Sequence, residues 1–481
     1  MREGRGRGRG RGRGKGGAGG GTTGRRVPGE RRLTASAVVN GVGSGMYIPF
    51  SLVFFHHVTG LSYTVVGAVL TLAGLGGMGL VPFIGTAVDR YGARRMLMVF
   101  HAVRFTGFLA YPLADSLGAF AGVALLTVTA ERAYVGVQTV LVGEVARGAD
   151  RDRLQAALRA VGNAGLGAGT LIASLVAGLV GPGGYTWTAL ANAASYAVAA
   201  YLLSAVRPVR AEETGAKAEQ GAAPGYRRIL RDRPFLVLTG ANFFNVLSYT
   251  ALSVLFPLFV VSLGGPDALT GVSFAVNTVL CATAGTYVGR LVRRSGARRT
   301  RAAALGSLLF AAGFLAQFAL AVARPDSSAV LVTALIAGVV VYTTGELVHS
   351  PAADMLAVSA APPAVRGRYM AVYQLSWSLG KALAPVLFTT LLAVDGRVPW
   401  VFLIGTSLVA AGLLVAVERR LPETAVRVDA VEPVGAVGAV GAVGAVGAVG
   451  AVDAADAVDP GGPVGPVGPV AGPAQAKAAK A

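Results

Sequence analysis

Five ionisable side chains lie inside otherwise apolar stretches of this 481-residue chain: Arg104, Glu131, Arg132, Glu346 and Lys381. An unpaired charge at the centre of a bilayer costs about 3 kcal/mol on insertion scales, so such residues mark ion pathways or hold helices together. A carboxyl group stripped of water is prone to hold a proton and to release it when water or a cation arrives. Glu131 or Glu346 is therefore the expected proton-carrying acid, modulated by Arg132 or Lys381. A static buried ion pair is the structural alternative. Arg104 is expected to pair structurally or to snorkel.

These charges have polar company at helical spacing. Tyr342, Glu346 and His349 recur at i, i+4 and i+7, on one helical face. Asn242, Asn245 and Tyr249 share a face at i, i+3 and i+7, and Asn40, Ser44 and Tyr47 do so at i, i+4 and i+7. Glu131 and Gln138 lie seven apart, and Gln374, Ser378 and Lys381 form another stripe. All are expected to line a central cavity. His56 and His57 read as interfacial, with pH sensing as the functional alternative.

Composition and hydropathy indicate what carries these side chains. The chain is 53% hydrophobic and 14% charged, with mean hydropathy +0.59. A soluble domain is roughly a quarter charged, so most of this surface must face lipid. Apolar runs long enough to span a bilayer, about 20 residues, fall at 34–57, 64–87, 96–114, 118–143, 155–180 and 185–206. They resume at 234–261, 269–292, 300–323, 328–357, 369–393 and 398–417. Alternate loops hold 21 Arg or Lys on one side against two, Arg324 and Arg397, on the other. That bias places the basic side, and both termini, in the cytoplasm. No cleavable signal peptide is expected, because the first apolar run is too long and follows a basic tail.

The net charge of +19 is concentrated in residues 1–32, which hold eleven Arg or Lys and two acids. Residues 1–33 read as a disordered Gly/Arg-rich tail. Nucleic-acid or anionic-lipid binding is the functional alternative there, and no nucleic-acid partner is expected. The expected division continues with a six-helix bundle at 34–206, a polar central loop at 207–233, a second bundle at 234–417 and a low-complexity tail at 418–481. The only cysteine, Cys281, excludes an intrachain disulfide. No phosphate-binding G-x-x-x-x-G-K-[ST] loop and no zinc-type spacing occur. Neither an enzyme, a metal nor a cofactor is expected.

The halves echo each other. "GTAVDRYGARR" (85–95) and "GRLVRRSGARR" (289–299) align at an offset of 204; Glu131 aligns with Glu346, Arg153 with Arg368 and Gly165 with Gly380 at 215. A parallel duplication of six spans explains both. The loop after the second run resembles the signature loop of the major facilitator superfamily, G-x-x-x-D-R-x-G-R/K-R/K, in Gly85, Asp89, Arg90, Gly92, Arg94 and Arg95. "ERAYVG" (131–136) resembles its fourth-span motif in Arg132 and Gly136, with Val135 where glutamine is usual. "GEL...P...APPAVRGRYMAVY" (345–373) is similar to multidrug-exporter-like members. The antiporter motif of span 5 is partial: "GNAGLGAG" (162–169) has Ala168-Gly169 where Gly-Pro is usual.

That resemblance implies an all-α membrane protein of twelve transmembrane helices in two pseudo-symmetric six-helix bundles. It implies a secondary transporter working by alternating access, with spans 1, 4, 7 and 10 lining the path. The expected activity is proton-coupled export of apolar or amphiphilic small molecules by a monomer in a bacterial-type cell membrane. An importer of a small metabolite and a non-transporting sensor or scaffold are the alternatives. The resemblance makes Asp89 a conformational latch, accepting hydrogen bonds at the amino terminus of span 11. Arg293 replaces it in the second copy, so gating is expected to be asymmetric. Arg94 and Arg95 are expected at the phosphate layer. The glycines of 162–169 are expected to pack against the other half, with Gly285 and Gly289 as the reciprocal face.

Overall fold

Leucine, valine, alanine and phenylalanine in unbroken runs favour helix wherever water cannot serve the backbone, and long helices are what the chain forms. The computed structural model describes residues 29–206 and 229–427, apart from 115, 147, 267, 295–297 and 363–364. Residues 1–28, most of the central loop and the tail from 428 lie outside the described residues.

Span 1 is broken into Glu30–Tyr47 and Ser51–Thr59 by a 3-10 turn at Ile48–Phe50, where Pro49 interrupts the α ladder. Spans 2 to 6 are Tyr63–Tyr91, Ala93–Ala110, Leu117–Val145, Gly148–Val180 and Gly184–Ser204. Spans 7 to 12 are Arg233–Ser262, Ala268–Arg294, Arg299–Ala323, Ser328–Ala360, Arg366–Val394 and Val398–Val417. Among the described residues, eleven helices are long and apolar enough to cross a membrane. Span 6 is the helix left out. Thr186, Thr188, Asn192 and Ser195 lower its hydropathy, yet it forms a helix where the sequence places one.

The ordered bundle is longer at both ends than hydropathy indicates. Glu30 already begins span 1, and Leu33 is buried. After span 12 the chain turns at Glu418–Arg420, and a short helix, Glu423–Val426, tucks Ala425 and Val426 beneath span 10. Hydropathy stops at the membrane edge; tertiary packing continues past it.

Three buried clusters organise the interior. One is built wholly from residues 229–426, the second half. Another, at the end bearing the arginine loops (the basic end), joins Leu33, Leu97, Leu141, Leu154 and Leu203 of the first half only. The third, at the far end, packs Phe54, Phe55, Tyr111 and Phe120 and also takes in Leu258 from span 7. The halves thus share a core at the far end and keep separate cores at the basic end.

Candidate functional site

The seam between the halves is built from glycines facing small hydroxyl residues. At Gly67 an added Cβ would meet Thr389 Oγ1 and the Pro385 carbonyl, and at Gly271 it would meet Ser174 and the Thr170 carbonyl. Gly167 faces Thr278. Thr71 Oγ1 accepts a hydrogen bond from Val386 N across the seam at 3.2 Å. All of these lie from the middle to the far end of spans 2, 5, 8 and 11. Toward the basic end, Gly79, Gly85 and Gly162 have open space where a Cβ would stand. Among the described residues, the halves meet from the middle to the far end and are parted at the basic end.

The span 5 glycines serve mainly their own half, which corrects the expectation. Gly165 faces Val38, Gly41 and Val42 of span 1, and an added Cβ at Gly169 would meet the Val42 carbonyl oxygen. Gly41 and Gly45 reciprocate against Gly162 and Leu166. Only Gly167 of the four meets the second half. Gly285 faces Leu347 of its own half, and Gly271 rather than Gly285 supplies the reciprocal contact. The i, i+4 spacing of Gly165 and Gly169 matches that of Gly41 and Gly45, so the two stripes interlock.

The signature loop has an unmade latch. Gly92 sits at φ 83°, a conformation that favours glycine, and forms the tight corner between spans 2 and 3. Asp89 and Arg90 are exposed, and among the described residues Asp89 makes no hydrogen bond or ion pair. Arg90 lies over the Tyr91 ring at 5.3 Å. Arg94 does something the sequence did not indicate: it donates to the Ser204 and Val206 carbonyls at 3.1 and 2.9 Å, capping the carboxyl end of span 6. Arg95 is exposed. The acid that does sit on a helix amino terminus here is Glu144, which accepts from Ala93 N. The Arg293 side chain lies outside the described residues.

Each half has its own clamp at the basic end. In the first, Arg153 makes a two-pronged bridge to Glu30 at 2.8 and 3.0 Å. In the second, buried Glu418 accepts from Thr300 at 2.6 Å, Arg298 at 3.0 Å and Arg301 at 3.1 Å. Both hold spans within one half.

The charged residues fall into two settings. Glu131, Arg132 and Lys381 converge at the seam and are half-buried. Gly74 makes room for Arg132, whose Nη2 lies 2.9 Å from the position a Cβ would take, with Ala382 of span 11 beside it. Lys381 feels the opposing fields of Arg132 and Glu131 and lies 5.3 Å from the Trp377 ring centre. Among the described residues, no acid and base of this trio come within salt-bridge distance. Gln138 donates to Tyr134 Oη at 3.2 Å. Gln374 and Ser378 of span 11 are half-buried, and among the described residues the Gln374 side-chain oxygen has no partner.

Glu346 is enclosed, at 3% exposure. Asn277 of span 8 donates to it at 2.9 Å and to Thr343 at 3.0 Å. Among the described residues no cation lies within salt-bridge reach. Its companions are held inside the second half. Tyr249 Oη hydrogen-bonds His349 Nδ1 at 2.9 Å, and Tyr342 Oη donates to the Tyr249 carbonyl at 3.3 Å. Asn242 donates to Ser376 at 2.7 Å and accepts from Tyr373 at 2.8 Å, while Asn245 accepts from Ser307 at 2.9 Å. The polar stripes of spans 7 and 10 are thus occupied in binding their bundle together in this conformation.

Arg104 is buried at 2% exposure among neutral partners. It donates to Asn40 at 3.1 Å, Ser44 at 3.3 Å and Tyr196 at 2.6 Å, and its guanidinium stands 4.0 Å over the Tyr196 ring. Tyr47 packs edge-on to Phe108 at 4.4 Å. His56 stacks on Tyr63 and bonds the Leu61 carbonyl; His57 is exposed. Sequence reasoning missed Asn277, an amide in the middle of an apolar run, and Asp354, which feels Arg159 of span 5 across the parted end.

Residues 33–385 match the profile of the Major Facilitator Superfamily. The chain is 26% identical over 352 residues to multidrug resistance protein MdtH of Proteus mirabilis (strain HI4320), covering 70% of this chain and 81% of that protein. MdtH of Yersinia pestis (strain Pestoides F) is 26% identical over 398 residues, covering 79% and 93%. Among solved structures, a bacterial homologue of iron transporter ferroportin in its inward-facing state superposes with TM-score 0.65 at 14% identity, covering 81% of this chain and 98% of that one. A D-xylose-proton symporter superposes with TM-score 0.62 at 14% identity, covering 82% and 98%. These structural likenesses speak to the fold.

Proposed function

Because the chain belongs to the major facilitator superfamily, and is thereby a secondary transporter and not an enzyme, we propose that it exports apolar or amphiphilic small molecules in exchange for protons. The relatives that carry the name multidrug resistance protein support the substrate class. The membrane is that of a bacterial cell, with both termini and the basic end in the cytoplasm, as the bias of 21 basic loop residues against two supports. The parted end then opens to the cytoplasm, the side from which an exporter loads its cargo.

The observation that carries proton coupling is Glu346, enclosed, bonded to one amide and without a salt-bridge partner among the described residues. A bare carboxylate at bilayer depth costs about 3 kcal/mol on insertion scales. A hydrogen bond to a charged group returns about 1.5–3 kcal/mol. The two are near balance, so a modest change in water access tips the acid between its charged and neutral forms. Alternating access supplies that change. Glu131 at the seam, with Arg132 and Lys381, senses the relative position of the halves. Closure at the basic end brings Asp89 to the amino end of span 11, where the latch is made and the far-end contacts of Thr71 and Gly67 part.

The test is transport in everted vesicles. Energisation is expected to drive accumulation of a lipophilic cationic or neutral dye, and an imposed pH gradient, inside acid, is expected to replace it. Accumulation that ignores the gradient removes the proton from the mechanism; efflux under the same gradient reverses the direction.

A further inference from the structure

Near the far end of the second half, spans 7, 9, 10 and 12 line a cavity of about 20 Å³. Its wall includes Phe256, Phe314, Gln317, Gly338, Tyr342 and Trp400. Two polar atoms in that wall are buried without partners: the Trp400 Nε1–H, a donor, and Gln317 Oε1, an acceptor. The indole of a buried tryptophan ordinarily finds an acceptor, and a buried amide oxygen ordinarily finds a donor. The rest of the Gln317 amide is already fixed, with Nε2 3.4 Å from the Leu335 carbonyl oxygen. Gly338 makes the space: a Cβ there would run into Gln317 Nε2.

One water needs about 10–15 Å³ of such volume and two or more polar partners. The volume meets the first condition, and two residues of the wall, Trp400 and Gln317, each carry one unpartnered polar atom, a donor and an acceptor. A larger ligand does not fit, and an ion has no charged partner in the wall. The corresponding place in the first half is filled by other side chains. At the offset of 215, Gly338 corresponds to Val123 and Tyr342 to Thr127. There Thr127 is hydrogen-bonded to Tyr111 within the aromatic cluster.

We propose that the cavity binds one water molecule, which accepts from Trp400 Nε1–H and donates to Gln317 Oε1, and that this water hydrates the Tyr342–Glu346 face from the far end. Tyr342 lines the cavity, and Glu346 follows it by one turn on the same face. The groups that also face the acid are Asn277 and Cys281 of span 8, with Tyr249 of span 7 and His349 of span 10 beside Tyr342. The second part of the inference rests on Glu346 being the coupling carboxyl; the first does not.

Brief X-ray radiolysis of the detergent-purified full chain in H2 18-O reads the first part. A bound water generates hydroxyl radical in place, so Phe314, Tyr342 or Trp400 is expected to be oxidised despite burial, alongside exposed Trp187 as the control. Trp400→Phe keeps the ring and removes the donor, and Gln317→Leu removes the acceptor. Either is expected to lower the labelling of Tyr342 and Phe314 at least about threefold. Unlabelled cavity residues in a wild-type sample whose Trp187 is labelled overturn the water site. For the second part, Trp400→Phe is expected to move the pH midpoint of proton-driven flux by about half a unit, the size of a lost hydrogen bond of ~0.7 kcal/mol. An unmoved midpoint with labelling lost overturns the link to Glu346. Wild-type flux in Glu346→Gln sinks the coupling role of that acid, and the water site then stands or falls on the labelling alone.

Discussion

Glu131 and Glu346 occupy corresponding positions in the two halves, 215 residues apart, and the protein has given them opposite surroundings. Glu346 is enclosed and held by one amide of its own half. Glu131 is half-buried at the seam, near Arg132 of its own span and Lys381 of the other half. One of the two carboxyls is thus enclosed within its own half, and the other lies where the halves meet. On the proposed mechanism the enclosed acid carries the proton and the seam acid senses movement.

The largest effect expected from this division is at Glu346. Glu346→Gln should lower proton-driven flux in proteoliposomes by about tenfold or more, a loss of ~1.4 kcal/mol or greater, and flatten its pH dependence. Glu346→Asp should retain part of both. Glu131→Gln should cost less, about threefold, and leave the pH dependence in place. If the order is reversed, the insulated acid is structural and the seam acid carries the proton.

The next effect sharpens the account of the seam. Lys381→Met removes the cation that the second half presents to Glu131 and should lower flux about fivefold. Combined with Glu131→Gln the losses should fall short of additive, with an interaction energy of about 1 kcal/mol. Additive losses would separate Glu131 from Lys381. Smaller again is Asn277→Leu. It leaves Glu346 without its donor and should displace the pH profile of flux, with maximal flux reduced about twofold. An unchanged profile would mean that the amide is packing alone.

How much of this was legible in the sequence follows the same division. The spans and the basic side are properties of composition, and the signature loop is a local string, so none needs knowledge of what lies opposite. The charged residues at depth also announce themselves, because little else in an apolar run is charged. Their partners do not. Asn277 reaches Glu346 from 69 residues away, and only an isolated amide in span 8 hinted at it. Arg94 reads as a phosphate-layer anchor, whereas tertiary folding brings the open end of span 6 to it. The glycines of span 5 were visible as a close-packing stripe, but which helix they approach is decided by the matching stripe in span 1. Spacing gives the face of a helix; the neighbour on that face is a property of the whole bundle.

The smallest expected effect concerns the seam at its closed end. Val386, one residue after Pro385, donates its backbone N–H to Thr71 Oγ1, while Thr389 Oγ1 donates to the Pro385 carbonyl at 2.7 Å. Thr71→Val keeps the shape of the side chain and deletes only the acceptor. A typical net hydrogen bond contributes about 1 kcal/mol, enough to shift a two-state equilibrium roughly fivefold. The variant should therefore populate the state opened at the far end more often. Spin labels on cysteines placed at the exposed positions Ser62 and Arg397, in a Cys281→Ser background, would read this as a longer-distance population in double electron–electron resonance. The glycine contacts at Gly67 and Gly271 remain in this variant, so closure is weakened and not abolished. An unchanged distance distribution would assign the closed end to those packing contacts. The two halves would then be joined by shape at this end, with no part for the hydroxyl group.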